Sequence, residues 1–234
     1  MSKGKIKDIV LMDIHNDLEN DFDLIAELDP IKWNHNNQYY GFLLKKINKR
    51  CNHSLEIGCG TGEFCRLLAL KSDQVTGIDL SKKMIEKAKE NSFLSNIDFV
   101  NQDITECDYP DGTFDCIVSI ATMHHLPYLV LLKSLKKWLK PEGMLLILDL
   151  YRKSTLMDFL YSIAATPLNL LFCLAQNKRI RQTPTEIQYW REHAKHDQFM
   201  TLKEIKNMAA EALPGARIKR HLFWRYSLIW QKTQ

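Results

Sequence analysis

Apolar and polar positions along this chain follow two alternating periods. Short apolar runs bounded by polar residues or glycine occur at 53–57, 74–79, 97–103, 114–121 and 139–147. Between them lie segments with helical spacing, as at 63–70 and 82–90, the second opened by Ser81 as N-cap. This alternation predicts parallel strands joined by crossover helices. Asp111-Gly112 marks a turn before the fourth run. Ahead of the sheet, 33–50 reads as a helix with Phe42, Leu43 and Ile47 on one face, and an acidic stretch before it reads as a short helix ended by Pro30. After 150 the pattern changes. Residues 154–176 are strongly apolar but interrupted by Asp158, Pro167 and Asn169, which predicts two short lid or core helices. A polar, aromatic-bearing helix or loop follows at 185–198. Thr201-x-x-Glu204 is a capping box that opens a further helix, which stops at Pro214-Gly215. Residues 216–223 and 226–232 read as a terminal hairpin.

The chemistry concentrates in Leu55-Glu56-Ile57-Gly58-Cys59-Gly60-Thr61-Gly62, followed by Val75-Thr76-Gly77-Ile78-Asp79. This is a β-α-β unit whose first turn carries alternating glycines and whose second strand ends in an acid placed to accept from a ribose diol. The dinucleotide fingerprint G-x-G-x-x-G sets a pyrophosphate on a helix N-terminus. Here the spacing is G-x-G-x-G and Glu56 precedes it. A carboxylate repels a pyrophosphate and attracts a cationic ligand.

The run closely resembles motif I of class I S-adenosylmethionine-dependent methyltransferases, and the later strands follow that family in order. The resemblance is strong over 51–150 and looser at both ends. It implies an α/β, Rossmann-like fold: a seven-stranded, mostly parallel sheet with an antiparallel C-terminal hairpin and a helical lid insertion. The expected organisation is one methyltransferase domain, with a helical cap at 1–50, a cofactor core at 51–150, an insertion at 151–215 and the hairpin at 216–234. It implies S-adenosylmethionine as cofactor, bound by Glu56, Gly58, Cys59, Gly60 and Gly62, with Asp79 on the ribose. Leu80, Met84 and Ile104 would flank the adenine, Gln102 and Asp103 would meet its edge, and Ala121 would meet the amino-acid end.

The segment Trp33-Asn34-His35-Asn36-Asn37-Gln38-Tyr39-Tyr40 resembles one found in a subgroup of small-molecule methyltransferases. Tyr39 is expected at the cofactor, and Trp33, His35, Tyr40 and Trp190 at the acceptor. The tail 213–228 is also shared with that subgroup. His124 and His125 follow the fourth strand at the carboxyl edge of the sheet, where ligands gather, and a histidine there can serve as a base. They are the catalytic candidates. His193-x-x-His196-Asp197 places two histidines on one helix face; with no third ligand nearby in the sequence, no metal is expected.

Composition narrows the partners. The net charge of +4 over 234 residues carries no general nucleic-acid footprint. Lys133, Lys136, Lys137 and Lys140 read as one solvated helix face. Six cysteines without a C-x-x-C pair, and no apolar leader, suggest a reduced, cytoplasmic protein. Ser119-Ile120-Ala121-Thr122 stands where many amino-methylating nucleic-acid enzymes carry an N-P-P-Y-type motif. The expectation is therefore a small-molecule acceptor, no specific nucleic acid, and a monomer or homodimer. Two rivals remain: a cofactor-binding protein without catalysis, and an enzyme acting on a lipid-like acceptor at a membrane surface through 154–176.

Overall fold

The chain folds around one sheet, which a computed structural model describes together with the rest of residues 17–29 and 32–233. Its strands are β1 (Cys51–Ile57), β2 (Ser72–Asp79), β3 (Ile97–Asn101), β4 (Phe114–Ile120), β5 (Leu139–Leu150), β6 (Arg217–Arg220) and β7 (Arg225–Gln231). Their order is β3-β2-β1-β4-β5-β7-β6. The first five are parallel, and β7 lies antiparallel between β5 and β6. This is the expected Rossmann-like, mostly parallel sheet with an antiparallel hairpin.

Eight helices of the described residues surround it: α1 over 17–26, then α2 (Tyr40–Leu44), α3 (Glu63–Leu68), α4 (Lys82–Glu90), α5 (Tyr128–Trp138), α6 (Leu156–Asn177), α7 (Pro184–His193) and α8 (Leu202–Ala212). Alternate strand residues face opposite sides, as the two-residue period requires. Leu145 and Ile147 of β5 pack with Leu132 and Leu135 of α5 and Ile205 of α8. Leu146 and Leu148 pack with Phe64 and Leu68 of α3 and Leu43 of α2. Both faces are covered, so the strands read as continuous apolar runs.

Several elements differ from the sequence reading, each for a local reason. The helix expected over 33–50 shortens to one 3-10 turn (Asn37–Tyr39) and α2. The Asn34 side chain accepts from the backbone N–H groups of Asn36 and Asn37 and offers the chain a turn instead of a helix. The third strand ends at Asn101, because Asp103 caps a 3-10 turn through the Thr105 N–H. Lys140 lies in β5, not on the helix of Lys133, Lys136 and Lys137.

The two short helices expected at 154–176 are one helix of 22 residues, α6, running through Pro167. Pro167 removes the donor for the carbonyl of Ile163, and Ile163 is 70% exposed, so water can satisfy that group. α6 and α7 both open with capping boxes, Thr155/Asp158 and Thr183/Glu186, like the one recognised at Thr201/Glu204. α8 packs on α5 in the core, so the inserted helices proper are α6 and α7.

Gly77 shows how tightly the sheet takes its helices. A Cβ there would lie 2.7 Å from Cys65 Sγ and 3.0 Å from Phe99. Its backbone is ordinary strand, so only packing is at stake. Gly77→Ala should lower stability by about 1–3 kcal/mol, the usual cost of overpacking. The urea midpoint of the variant against wild type checks this.

Candidate functional site

Strands β1 and β4 lie side by side, and the chain leaves their carboxyl ends toward opposite sides of the sheet. That divergence opens a crevice in a parallel sheet. Here it opens into one cavity of about 1340 Å³, larger than the ~300–1,000 Å³ of a typical ligand pocket. There is room for two ligands.

One end of the cavity is acidic, bordered by Glu56, Asp79 and Asp103. Glu56 is 2% exposed and its Oε2 has no partner among the described residues. Burial pushes its carboxyl up to about 8. Asp79 is also raised by burial, to about 6, although it accepts from the N–H groups of Gly60 at 2.8 Å and Ser81 at 2.9 Å.

The glycines of the turn serve different purposes. A Cβ on Gly58 would lie 2.0 Å from the Thr122 hydroxyl oxygen, and one on Gly62 would lie 2.6 Å from Phe99. Both positions are fixed by packing and by positive φ. Gly62 does not border the cavity, which corrects its expected place in the cofactor site. Gly60 (φ +50°) is the open one: the nearest atom to its ideal Cβ is Met84 Sδ at 4.0 Å. Opposite, Ala121 follows β4 with φ 53°, held by its N–H bond to Leu148 O.

Cys59, Leu80, Met84, Gln102, Ile104 and Ala121 all border the cavity as expected. Tyr39 does not. Its hydroxyl donates to Leu222 O at 2.9 Å, so it ties the N-terminal segment to the β6–β7 hairpin. Tyr40 does border the cavity and donates to Glu63 Oε2 at 3.1 Å.

Trp33, His35 and Trp190 line other parts of the wall. His35 is bound to Asn169 of α6 at 2.8 Å and stacks on Phe223, which also packs against Trp33. Arg225, missed as a cavity residue in the sequence, is buried there with Nε donating to Asn36 at 2.7 Å. Burial lowers its pKa to about 10, which leaves it charged at neutral pH.

The histidines gather more closely than sequence spacing suggests. His124 Nδ1 donates to Asp149 Oδ1 at 2.6 Å. Asp149 was legible as the single acid in the apolar run 145–150. Burial would lower His124, but Asp149 and Asp197 outweigh it and hold it at about 9. Burial and the neighbouring His124 push His125 down to about 3, and neither of its ring nitrogens has a partner among the described residues. His193, at the end of α7, is buried. Its Nε2 lies 3.6 Å from Asp197 Oδ1. His196 bonds to Asp21 of α1 at 2.8 Å.

Residues 34–212 match a family described as "Methyltransferase domain". The chain belongs to this family. Among curated relatives, it is 37% identical over 78 residues to 27-O-demethylrifamycin SV methyltransferase of Amycolatopsis mediterranei (strain S699), covering 31% of this chain and 29% of that one. It is 35% identical over 101 residues to demethylmenaquinone methyltransferase of Staphylococcus aureus (strain MRSA252), covering 41% and 42%. The chain therefore spans less than half the length of these relatives. Among solved structures, its fold is similar to the N-methyltransferase NodS of Bradyrhizobium japonicum WM9 in complex with S-adenosyl-L-homocysteine (TM-score 0.62, 17% identity, 94% of this chain and 99% of that one). It is also similar to a SAM-dependent methyltransferase of Aquifex aeolicus (TM-score 0.55, 20% identity, 82% and 88%).

The family's cofactor, S-adenosylmethionine, fits the acidic end. There Glu56, whose Oε2 has no hydrogen-bond partner among the described residues, would face its cationic groups, Asp79 would take the ribose hydroxyls, and Gly60 would allow a close backbone approach.

Two outcomes follow from this cradle. Gly60→Val should abolish cofactor binding and, because valine is strained at φ +50°, lower the melting temperature while the protein still folds at room temperature; calorimetric titration beside a thermal melt checks both. The second concerns pH. A bound cation favours ionised Glu56 and lowers its pKa below the free value of about 8. Binding therefore releases a proton, and affinity should rise with pH up to about 8 and then level off. Titrations in buffers of differing ionisation enthalpy measure the proton, and Glu56→Gln should flatten the profile.

Proposed function

We propose that the protein transfers the methyl group of S-adenosylmethionine to a small-molecule acceptor held in the same cavity. The observation that carries this reading is the continuity of the cavity. Its acidic cradle opens without a wall onto a region bordered by Trp33, His35, Trp190 and Arg225. When bound, the cofactor supplies an electrophilic methyl on a sulfonium whose leaving thioether is neutral, so no acid is needed to expel it.

The chain must hold the acceptor atom in line and exclude water. Trp33 and Phe223 pack under α6 and close that side. His124 and His125 border the cavity and are the proposed catalytic residues. The curated relatives, named for methylating a demethylrifamycin and a demethylmenaquinone, support an acceptor of small-molecule type.

A second reading has its own observation. α6 is, among the described residues, the one helix long and apolar enough to cross a membrane by length and composition. It exposes Leu156, Ile163, Leu171 and Leu174 to solvent. Arg152 and Lys153 precede it and Lys178 and Arg181 follow it, a cationic frame suited to an anionic interface. On this reading the acceptor is lipid-like and reaches the cavity from a membrane surface.

The test is release of S-adenosylhomocysteine over a panel of phenols, quinols and small acids, with and without anionic vesicles. Turnover with a soluble acceptor supports the first reading; turnover only with vesicles supports the second. Absence of cofactor binding by folded protein would falsify both. His125→Ala should reduce turnover at least tenfold with cofactor affinity within about twofold of wild type, the pattern expected when an acceptor contact is lost.

A further inference from the structure

The cluster beside the cavity gathers three imidazoles around one carboxylate oxygen. Asp197 Oδ1 is buried, and only loose pairing, chiefly with His124, holds it. His124 Nε2 lies 3.5 Å from it, His125 Nε2 3.7 Å and His193 Nε2 3.6 Å. These separations exceed the ~2.7–3.2 Å of ordinary hydrogen bonds. They lie close to the edge of a tetrahedral coordination sphere, about 3.3–3.5 Å for metal–ligand bonds near 2.0–2.1 Å. The ligand atoms of His124, His125 and Asp197 all lie within 4.8 Å of one another.

Two further features point the same way. His124 gives its Nδ1 proton to Asp149 at 2.6 Å, which leaves Nε2 as the atom facing Asp197. A carboxylate behind an imidazole is the usual support of a metal-bound histidine, fixing its tautomer and orientation. His125 is half-buried, but both its ring nitrogens are shielded from solvent and make no hydrogen bond among the described residues, an unfavourable arrangement unless something outside the chain engages one of them.

We propose that His124 Nε2, His125 Nε2 and Asp197 Oδ1 bind one divalent transition cation of the Zn²⁺ class. Two imidazoles and a carboxylate leave coordination positions open. All three residues border the cavity, so those positions face the acceptor. His193 flanks the site, and its Nδ1 lies 3.8 Å from Asp21 of α1. The cation would thus pin the segment after α7 onto the turn after β4 and present a Lewis-acidic centre to an oxygen or sulfur of the acceptor. The sequence hid the site because its ligands come from positions 124, 125 and 197, which meet only when the inserted helices fold back over the sheet.

The test uses the full chain after chelation and needs no methyl acceptor. Co²⁺ titration should give one equivalent bound, with the visible absorption of a four- or five-coordinate site that Zn²⁺ then displaces. Asp197→Asn and His125→Ala should each weaken Zn²⁺ at least about 100-fold. Asp149→Asn, one step removed, should weaken it about 10–100-fold. Circular dichroism and cofactor titration on every variant separate lost ligation from lost folding. Wild-type protein that folds and binds S-adenosylmethionine but takes up no Co²⁺ overturns the assignment and leaves the methyltransferase reading standing. So does stoichiometric metal retained by both ligand variants, which would place it elsewhere.

Discussion

The Asp79 carboxylate is the joint on which the rest of this site turns. It ends β2, yet one oxygen receives the N–H of Gly60 in the turn after β1, and the other receives the N–H of Ser81 at the start of α4. Ser81 in turn caps α4 through the Met84 N–H and donates to Asp23 of α1 at 2.5 Å. One buried acid thereby links two neighbouring strand ends, a helix start and the N-terminal cap. Charge-assisted bonds of this kind are among the stronger local constraints available to a backbone. They set the glycine turn at the height where a ligand meets backbone rather than side chains.

The opposite wall is built by different means. There the contacts are aromatic and amide: Trp33 stacks on Phe172 and packs edge-on against Phe223, while Asn177 bonds both N–H and C=O of Trp33. The cradle is held at the carboxyl ends of β1 and β2 by backbone hydrogen bonds. The opposite wall joins a segment from before β1 to α6 and the β6–β7 turn, so it forms only when three distant parts of the chain dock. Such walls vary in shape without disturbing the cofactor end, which is how one fold serves many acceptors.

What was legible in the sequence follows the same division. Glu56, Gly60 and Asp79 were readable as one end of the cavity because a strand and a tight turn coincide within a few residues. The strand pattern and the Ser81 and Thr201 caps were readable because the physics is local. Tyr39 was misplaced because its partner, the Leu222 carbonyl, lies 183 positions away. The helix over 33–50 failed because Asn34 competes for the backbone, and α6 was divided in two because Pro167 was weighed without knowing that Ile163 faces water. The Asp197 cluster depends on a fold-back that neither periodicity nor spacing reports.

The turn between β6 and β7 has a consequence for how the protein ages under mutation. Phe223 and Trp224 both adopt positive φ, at 56° and 58°, a conformation that suits Asn-Gly and penalises bulky side chains. The pair persists because Phe223 is buried against Trp33 and Trp224 donates to Ser162 of α6 at 3.0 Å. The chain thus keeps a locally unfavourable turn for the sake of a wall. Drift toward a more comfortable turn would make a sturdier hairpin and a looser cavity wall, so selection on folding alone and selection on the shape of the cavity would pull these two positions apart.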